Sequence, residues 1–387
     1  MNVVATPHAG WQPGATQDHP ASMLALVSDA FGGYGGIAQY NRDFLTACAM
    51  NSELSQITVL PRIAPDEVGI LPPSVTQTDA LRNRILYSAR ALRTALRMKP
   101  KVIFNGHIYH GPIALPLARL TGAKLVSQLH GTEVWNDIAP RHLHALQKSD
   151  LILTVSRDTR ARAIAQLTLP PEKVVVVSNT VGESFVLGDR AQAREKFKLG
   201  SERTILTVAR LDARDGYKGH DRIIRLMPRM IELESDVTYL IAGTGPDRLR
   251  LEALAKELGV DRKVRFLGMI PTEDLPDLYR AADLFALPST GEGFGIAFLE
   301  AMACGTPAIG LAVGGAPDAL CDGELGACVA PEDFPDALFV ALKKCKERPS
   351  DLSRRVRERF GFDGFAHSLE HQMRNLLMPS AAPIRLV

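Results

Sequence analysis

The chain alternates short runs of Val, Ile and Leu with helix-like segments, and it does so in two successive series. The first comprises "MLALVSD" (23–29), "ITVL" (57–60), "KVIFN" (101–105), "KLVSQLH" (124–130), "LILTVS" (151–156) and "KVVVVSN" (173–179). After "NTVGESF" (179–185) the pattern restarts with "TILTVAR" (204–210), "VTYLIAG" (237–243), "KVRFLG" (263–268), "DLFALP" (283–288), "TPAIGL" (306–311) and "GACVAP" (326–331). Nearly continuous apolar runs of this length mark strands covered on both faces, and helices between them make βαβ units of a parallel sheet. The restart predicts two doubly wound, Rossmann-like α/β domains in tandem, with a boundary near 180–188, rather than one large sheet. Ligands of such sheets sit beyond the carboxyl ends of the strands, so two domains facing each other enclose one cleft lined by both sets of loops.

Composition narrows the class further. A chain of 387 residues, 46% hydrophobic and 6% aromatic, is long enough for two packed cores. Lys and Arg total 45 against 43 acids, and a net charge of +2 argues against a general nucleic-acid binder. Five cysteines without a C-x-x-C pair point to buried thiols in a reducing compartment. Residues 1–21 lack the basic start and apolar core of a signal peptide, and no run approaches the roughly 20 apolar residues of a spanning helix. A cytoplasmic protein is the expectation.

Three strand ends carry candidate chemistry. Gly32, Gly33, Gly35 and Gly36 precede a helix expected near Ile37, where backbone N–H groups and the helix end can meet a phosphate; the same glycines equally suit a tight turn without a ligand. In "ARLDARDGYKGH", Arg210 closes a strand and Lys218 lies on a glycine-flanked loop before a helix near His220, a pair suited to a diphosphate. The third, "STGEGFGIAFLEAMACGTPAIG" (289–310), places Glu292 in a turn and Glu300 inside an apolar helix expected over about 295–304. A carboxylate is repelled by phosphate but accepts from sugar hydroxyls. Two helical turns separate the acids, which predicts a shared face, with Glu300 toward a diol such as ribose. The competing reading is a capping Glu292 and a solvent-facing Glu300.

"EGFGIAFLEAMACGTPAI", Arg210, "YKGHDRII" (217–224), "VRFLGMIPTEDLPDLYRAADLFALPS" (264–289) and "GGAPDAL" (314–320) resemble family 4 of the retaining, nucleotide-sugar-dependent glycosyltransferases of GT-B fold. The likeness is dense over 200–345; in the first half it rests on "GGIAQYNRDFL" (35–45) and "LHGTE" (129–133). It implies an acceptor domain over 1–182, a donor domain over 183–364 and a C-terminal helix, 365–387, packing back on the first. It also implies that Arg210 and Lys218 bind the donor diphosphate and that Glu292 holds the transferred sugar. Backbone amides of Phe294, Gly295 and Ile296 would meet sugar or phosphate, Glu300 the ribose, and the main chain around Met269 the base. Gly35 and Gly36 would approach the phosphate from across the cleft, and His130 would lie near the reacting sugar; as a lone strand-end histidine it also reads as a structural hydrogen-bonder. Thr180 stands where relatives commonly carry Gly. The cations and helix ends would replace a divalent metal, no Asp-x-Asp occurs, and the expectation is no cofactor and no metal, with the nucleotide sugar as co-substrate.

The acceptor is less legible. No Asp or Glu occurs from Ala80 to Thr132, and residues 81–99 read as an amphipathic helix with Leu81, Ile85, Ala89, Leu92 and Leu96 in one stripe and Arg82, Arg90, Arg93 and Arg97 beside it. Either the stripe packs on its own sheet, or the helix docks on anionic membrane at the inner face. His107 and His110 lack a third metal ligand in sequence. The resulting expectation is a hexosyltransferase, using GDP-mannose or UDP-glucose, acting on a glycan or lipid-linked acceptor in polysaccharide assembly. A nucleotide-sugar epimerase and a non-catalytic nucleotide-sugar sensor are the alternatives.

Overall fold

The computed structural model describes residues 21–51, 54–135, 137–212, 218–234, 236–345 and 348–378. The N-terminal segment read for a signal, the loop 213–217 and the end of the predicted C-terminal helix, 379–387, lie outside the described residues.

Two all-parallel sheets form. The first contains β1 (Ala21–Val27), β2 (Leu54–Pro61), β3 (Val75–Gln77), β4 (Val102–Asn105), β5 (Lys124–Leu129), β6 (Leu151–Thr154) and β7 (Val174–Val176), in the order β3-β2-β1-β4-β5-β6-β7. The second contains β8 (Arg203–Val208), β9 (Val237–Ala242), β10 (Val264–Gly268), β11 (Leu284–Leu287), β12 (Ala308–Leu311) and β13 (Ala327–Val329), in the order β10-β9-β8-β11-β12-β13. Every apolar run of the sequence reading is a strand. β3 has no counterpart there, because it is a three-residue edge strand with one buried side chain and no apolar run to signal it.

Strand order reverses between β1 and β4 in one sheet and between β8 and β11 in the other. Loops leaving those four strands carry the glycine turn 32–36, the histidines 107 and 110, Arg210 with Lys218, and the stretch 289–295. A doubly wound sheet opens its crevice at such reversals, so the topology gathers these motifs.

Among the contacts that join the two halves are the following three. Helix Phe362–Leu377 returns to helix Gly35–Met50, with Phe365 edge-on to Tyr40 at 5.9 Å. Thr180 donates its hydroxyl to the Phe360 carbonyl at 2.7 Å, and the Val181 N–H reaches the same oxygen at 2.9 Å. Thr180 needs no glycine-only backbone and is not among the residues of positive φ, so its hydroxyl serves as a strap. Arg157, opening the helix after β6, grips Asp318 through both its backbone N–H, at 2.5 Å, and its guanidinium, and reaches Asp322 at 2.7 Å.

The helix expected over 81–99 spans Arg84–Met98, capped by the Asn83 side chain on the N–H groups of Ile85 and Leu86. It buries Tyr87, Ala91 and Ala95, whereas Ile85 is 79% exposed, Leu92 42% and Leu96 51%. Of the two readings left open, the one in which the stripe packs on its own sheet does not hold for Ile85, Leu92 and Leu96. Two alanines let the helix sit close to the sheet, and the Tyr87 hydroxyl fixes its rotation by donating to the Leu60 carbonyl at 2.9 Å.

Candidate functional site

Each wall of the cleft presents a helix that begins in a glycine turn. Helix Gly35–Met50 has no side-chain cap and no acid in its first turn; helix Ile296–Ala303 has neither as well. Their first N–H groups are therefore open to an anion from either side. The two starts lie close together: a Cβ built on Gly36 would sit 3.6 Å from the Ile296 side chain. Gly35, at φ 79°, takes the left-handed backbone that glycine adopts without cost.

Closer still is the approach of Gly131, after β5, to Gly293, after β11. A Cβ on Gly293 would fall 1.8 Å from the His130 carbonyl oxygen, and one on Gly131 would fall 2.4 Å from the Gly293 Cα. Backbone therefore meets backbone at the cleft floor. His130 is held there from two sides: its N–H donates to both Glu133 carboxylate oxygens at 3.1 Å, and its Nε2 lies 2.9 Å from the Gly106 carbonyl. The sequence reading took no account of Glu133, although it stands in the quoted "LHGTE". Glu133 also lies 3.6 Å from His107 Nε2. Burial pushes His107 down to about 4 and His110 to about 3, which leaves both imidazoles neutral near pH 7. Among the described residues no group of three His, Cys, Asp or Glu is placed to hold a metal ion.

On the opposite wall Lys218 Nζ meets Glu292 Oε1 at 2.7 Å, with both side chains largely buried. The two were assigned to separate parts of a ligand; the structure brings them into direct contact. The Glu292 carbonyl accepts from the Gly315 N–H at 2.7 Å, which ties this turn to the "GGAPDAL" loop. Arg210 is exposed just beyond β8. Met269 is 66% exposed beyond β10. The Phe294 side chain is buried against Phe360, so only its main chain can face a ligand.

Glu300 corrects another expectation. Helix Ile296–Ala303 starts after Glu292, so helical spacing does not relate the two acids, and no shared face follows from it. Glu292 is placed by its turn, and Glu300 by the helix, one turn in. The Tyr279 hydroxyl donates to Glu300 Oε2 at 2.7 Å, and burial pushes Glu300 up to about 7. Asp43, on the facing helix, is likewise raised by burial to about 7, with Glu300 adding to the shift. Neither Tyr279 nor Asp43 was singled out in the sequence, because only packing across chain-distant helices gives them a role.

The two sheets, their opposed open helix ends and the cleft between them define a GT-B protein. The chain belongs to the glycosyltransferases: the family described as Glycosyltransferase Family 4 matches residues 34–184, and that described as Glycosyl transferases group 1 matches 189–360. A GDP-mannose-dependent alpha-(1-6)-phosphatidylinositol monomannoside mannosyltransferase of Mycolicibacterium smegmatis is 36% identical over 248 residues, 60% of this chain and 64% of that protein. A D-inositol 3-phosphate glycosyltransferase of a Mycobacterium species is 38% identical over 194 residues, 48% of this chain and 42% of its own length. The matches thus span between about two fifths and just under two thirds of these relatives. Among solved structures, sucrose-phosphate synthase of Thermosynechococcus elongatus superposes with a TM-score of 0.76 at 21% identity, over 93% of this chain and 100% of the other. Anabaena HepE in complex with UDP and glucose gives 0.71 at 19% identity, over 91% and 99%.

Proposed function

We propose that this protein is a retaining hexosyltransferase that moves a sugar, mannose or glucose, from a nucleoside diphosphate donor to a glycan or lipid-linked acceptor without a metal ion. The observation that carries the proposal is the Lys218–Glu292 pair at the open start of helix Ile296–Ala303. A diphosphate seated there meets Lys218, Arg210 and two free helix ends, all in place before charge develops on the leaving group. Glu292, beside the cation, is held to accept hydroxyls of the transferred sugar, and Glu300, one turn into the helix, those of the ribose. His130 stands across the floor from Glu292. In this reading residues 1–182 hold the acceptor and 183–364 the donor. Attack proceeds from the face the diphosphate leaves, a diphosphate oxygen takes the acceptor proton, and Glu292 orients the sugar. The mycobacterial relatives favour GDP-mannose as donor and an inositol-bearing or lipid-linked acceptor.

Helix Arg84–Met98 supports a membrane-facing acceptor. Its exposed Ile85, Leu86, Leu92 and Leu96 lie beside Arg93 and Arg97 in a stretch without acids, a combination that suits the surface of an anionic bilayer. No helix among the described residues is long and apolar enough to cross a membrane.

A transfer assay with GDP-mannose or UDP-glucose and phosphatidylinositol or simple sugar acceptors, run with EDTA and with magnesium, tests the reading. Turnover should survive EDTA, and Lys218→Ala should lower it by about 10²–10³. Loss of activity in EDTA with rescue by magnesium would overturn the metal-free mechanism. Interconversion of the nucleotide sugar without acceptor would favour an epimerase, and binding without turnover a sensor.

A further inference from the structure

Among the described residues two tyrosines are exposed, Tyr34 at 52% and Tyr109 at 68%, whereas Tyr40, Tyr87, Tyr239 and Tyr279 are buried. Both exposed rings stand on loops that leave β1 and β4, the strands between which the first sheet reverses its order. They differ in what they have left to offer. Tyr34 spends its hydroxyl on Asp66 at 2.5 Å, and the Asp66 N–H returns to the Gly32 carbonyl at 3.0 Å, so this ring closes the glycine turn. The Tyr109 hydroxyl makes no hydrogen bond to a described residue.

The Tyr109 ring is nevertheless fixed. Its backbone N–H donates to His107 Nδ1 at 3.3 Å, and the ring lies 4.4 Å from the His107 imidazole and, edge to face, 5.6 Å from His142. Accepting at Nδ1, the neutral His107 carries its proton on Nε2, which faces Glu133 at 3.6 Å. Glu133 also takes the His130 N–H, and the His107 and His130 rings stack at 6.1 Å. His130, His107 and Tyr109 thus form a row of rings that leads from the cleft floor outward, with His107 buried and Tyr109 bare.

We propose that Tyr109 is the outer platform of the acceptor site, stacking on the pyranose next to the one whose hydroxyl attacks, so that the acceptor is a glycoside of at least two rings. The inference rests on the reading in which His130 lies beside the reacting sugar. Tyr109 stands one imidazole removed from His130; a single pyranose placed for reaction there leaves the tyrosine uncovered, and a second ring covers it. A ring already held in place loses little freedom on taking a ligand, its face suits the C–H face of a sugar, and its free hydroxyl can meet a sugar oxygen. An acyl chain fits less well. Ile108 beside the ring is 5% exposed and the groups packed on the ring are imidazoles, so no continuous apolar surface surrounds it.

Saturation-transfer NMR and titration calorimetry on the full chain, with GDP or UDP bound, compare methyl α-mannoside with mannobiose and methyl α-glucoside with maltose. The two-ring sugar of at least one pair should bind about tenfold more tightly than its one-ring partner. Tyr109→Ala should erase that advantage, with unchanged affinity for GDP and UDP and a melting temperature near that of the parent. Tyr109→Trp should keep most of it, as stacking requires. In the transfer assay the alanine variant should raise KM for the disaccharide and leave KM for the nucleotide sugar as it is. A parent chain that turns over no acceptor would strike the transferase reading, and the binding comparison would still decide the platform. Three results would overturn the proposal: no binding or equal affinity within both pairs, the same preference in parent and alanine variant, or weaker nucleotide binding in that variant, which would put the ring under the base.

Discussion

The wall of the cleft built on the first sheet and the wall built on the second share a design, an apolar strand running into a glycine turn and an uncapped helix, yet they differ in charge. On the first, His107 and His110 are driven neutral by burial, and Glu133 spends its carboxylate on the His130 N–H. On the second, Lys218 and Glu292 face each other as an ion pair at the helix mouth. In the reading proposed above, the wall of neutral imidazoles would take an acceptor that presents hydroxyls, and the ion-paired one a diphosphate and the sugar attached to it. The difference teaches that glycine turns alone do not assign a ligand. What assigns it is the set of side chains that packing leaves charged around the turn.

Forcing the walls apart is the most severe way to break this comparison. Gly293→Ala places a methyl group on the His130 carbonyl, and Gly293 itself has an ordinary backbone, so each half keeps its own core while the closed cleft is lost. Turnover should fall about 10²-fold, the usual cost of misplacing reacting groups by an ångström, with little change in melting. Turnover close to the parent's would show that the Gly131–Gly293 contact is not required for transfer.

Glu300 gives a smaller, pH-resolved test of the charged wall. Its folded pKa, about 7, lies above the ordinary 4.5, so the folded chain holds an extra proton between those values. The stability this group supplies is full below 4.5 and is lost as pH rises through 7. Ligand binding should run the other way, because the ionised carboxylate is the better acceptor for a diol. Affinity for the nucleotide sugar, which has no titrating phosphate in this range, should rise up to about tenfold from pH 6 to pH 8, and Glu300→Gln should lose most of that slope, leaving only what Asp43, also raised to about 7, contributes. Calorimetry at several pH values checks it, and an equal slope in the variant would remove Glu300 from the ribose site.

Smallest is the effect expected on the outer face of the first half. Arg93→Gln should weaken binding to vesicles containing phosphatidylserine by about 1 kcal/mol, roughly fivefold, with unchanged melting because the residue is exposed. Equal sedimentation of parent and variant would leave the helix Arg84–Met98 without a membrane role.

The sequence by itself determined the elements and the loops on which the candidate site residues stand. Twelve apolar runs are twelve of the thirteen strands among the described residues, since continuous burial on both faces leaves a local signature that needs no partner to be read. Gly35, Gly36, Arg210, Lys218, His130, Glu292 and Glu300 stand where strand ends and helix starts put them, and for them the local pattern sufficed. Tertiary structure alone decided what those residues meet. Lys218 finds Glu292 across 74 positions of chain, and Arg157 finds Asp318 across 161. Glu292 and Glu300 are not related by helical count, because the helix begins between them. The sequence leaves open the face that helix Arg84–Met98 buries, because stripe and periodicity give a helix two apolar sides here, and only the small Ala91 and Ala95 against the sheet, with Tyr87 anchored on Leu60, choose between them. Periodicity is a property of a segment; rotation, pairing and charge state are set by what packs against it.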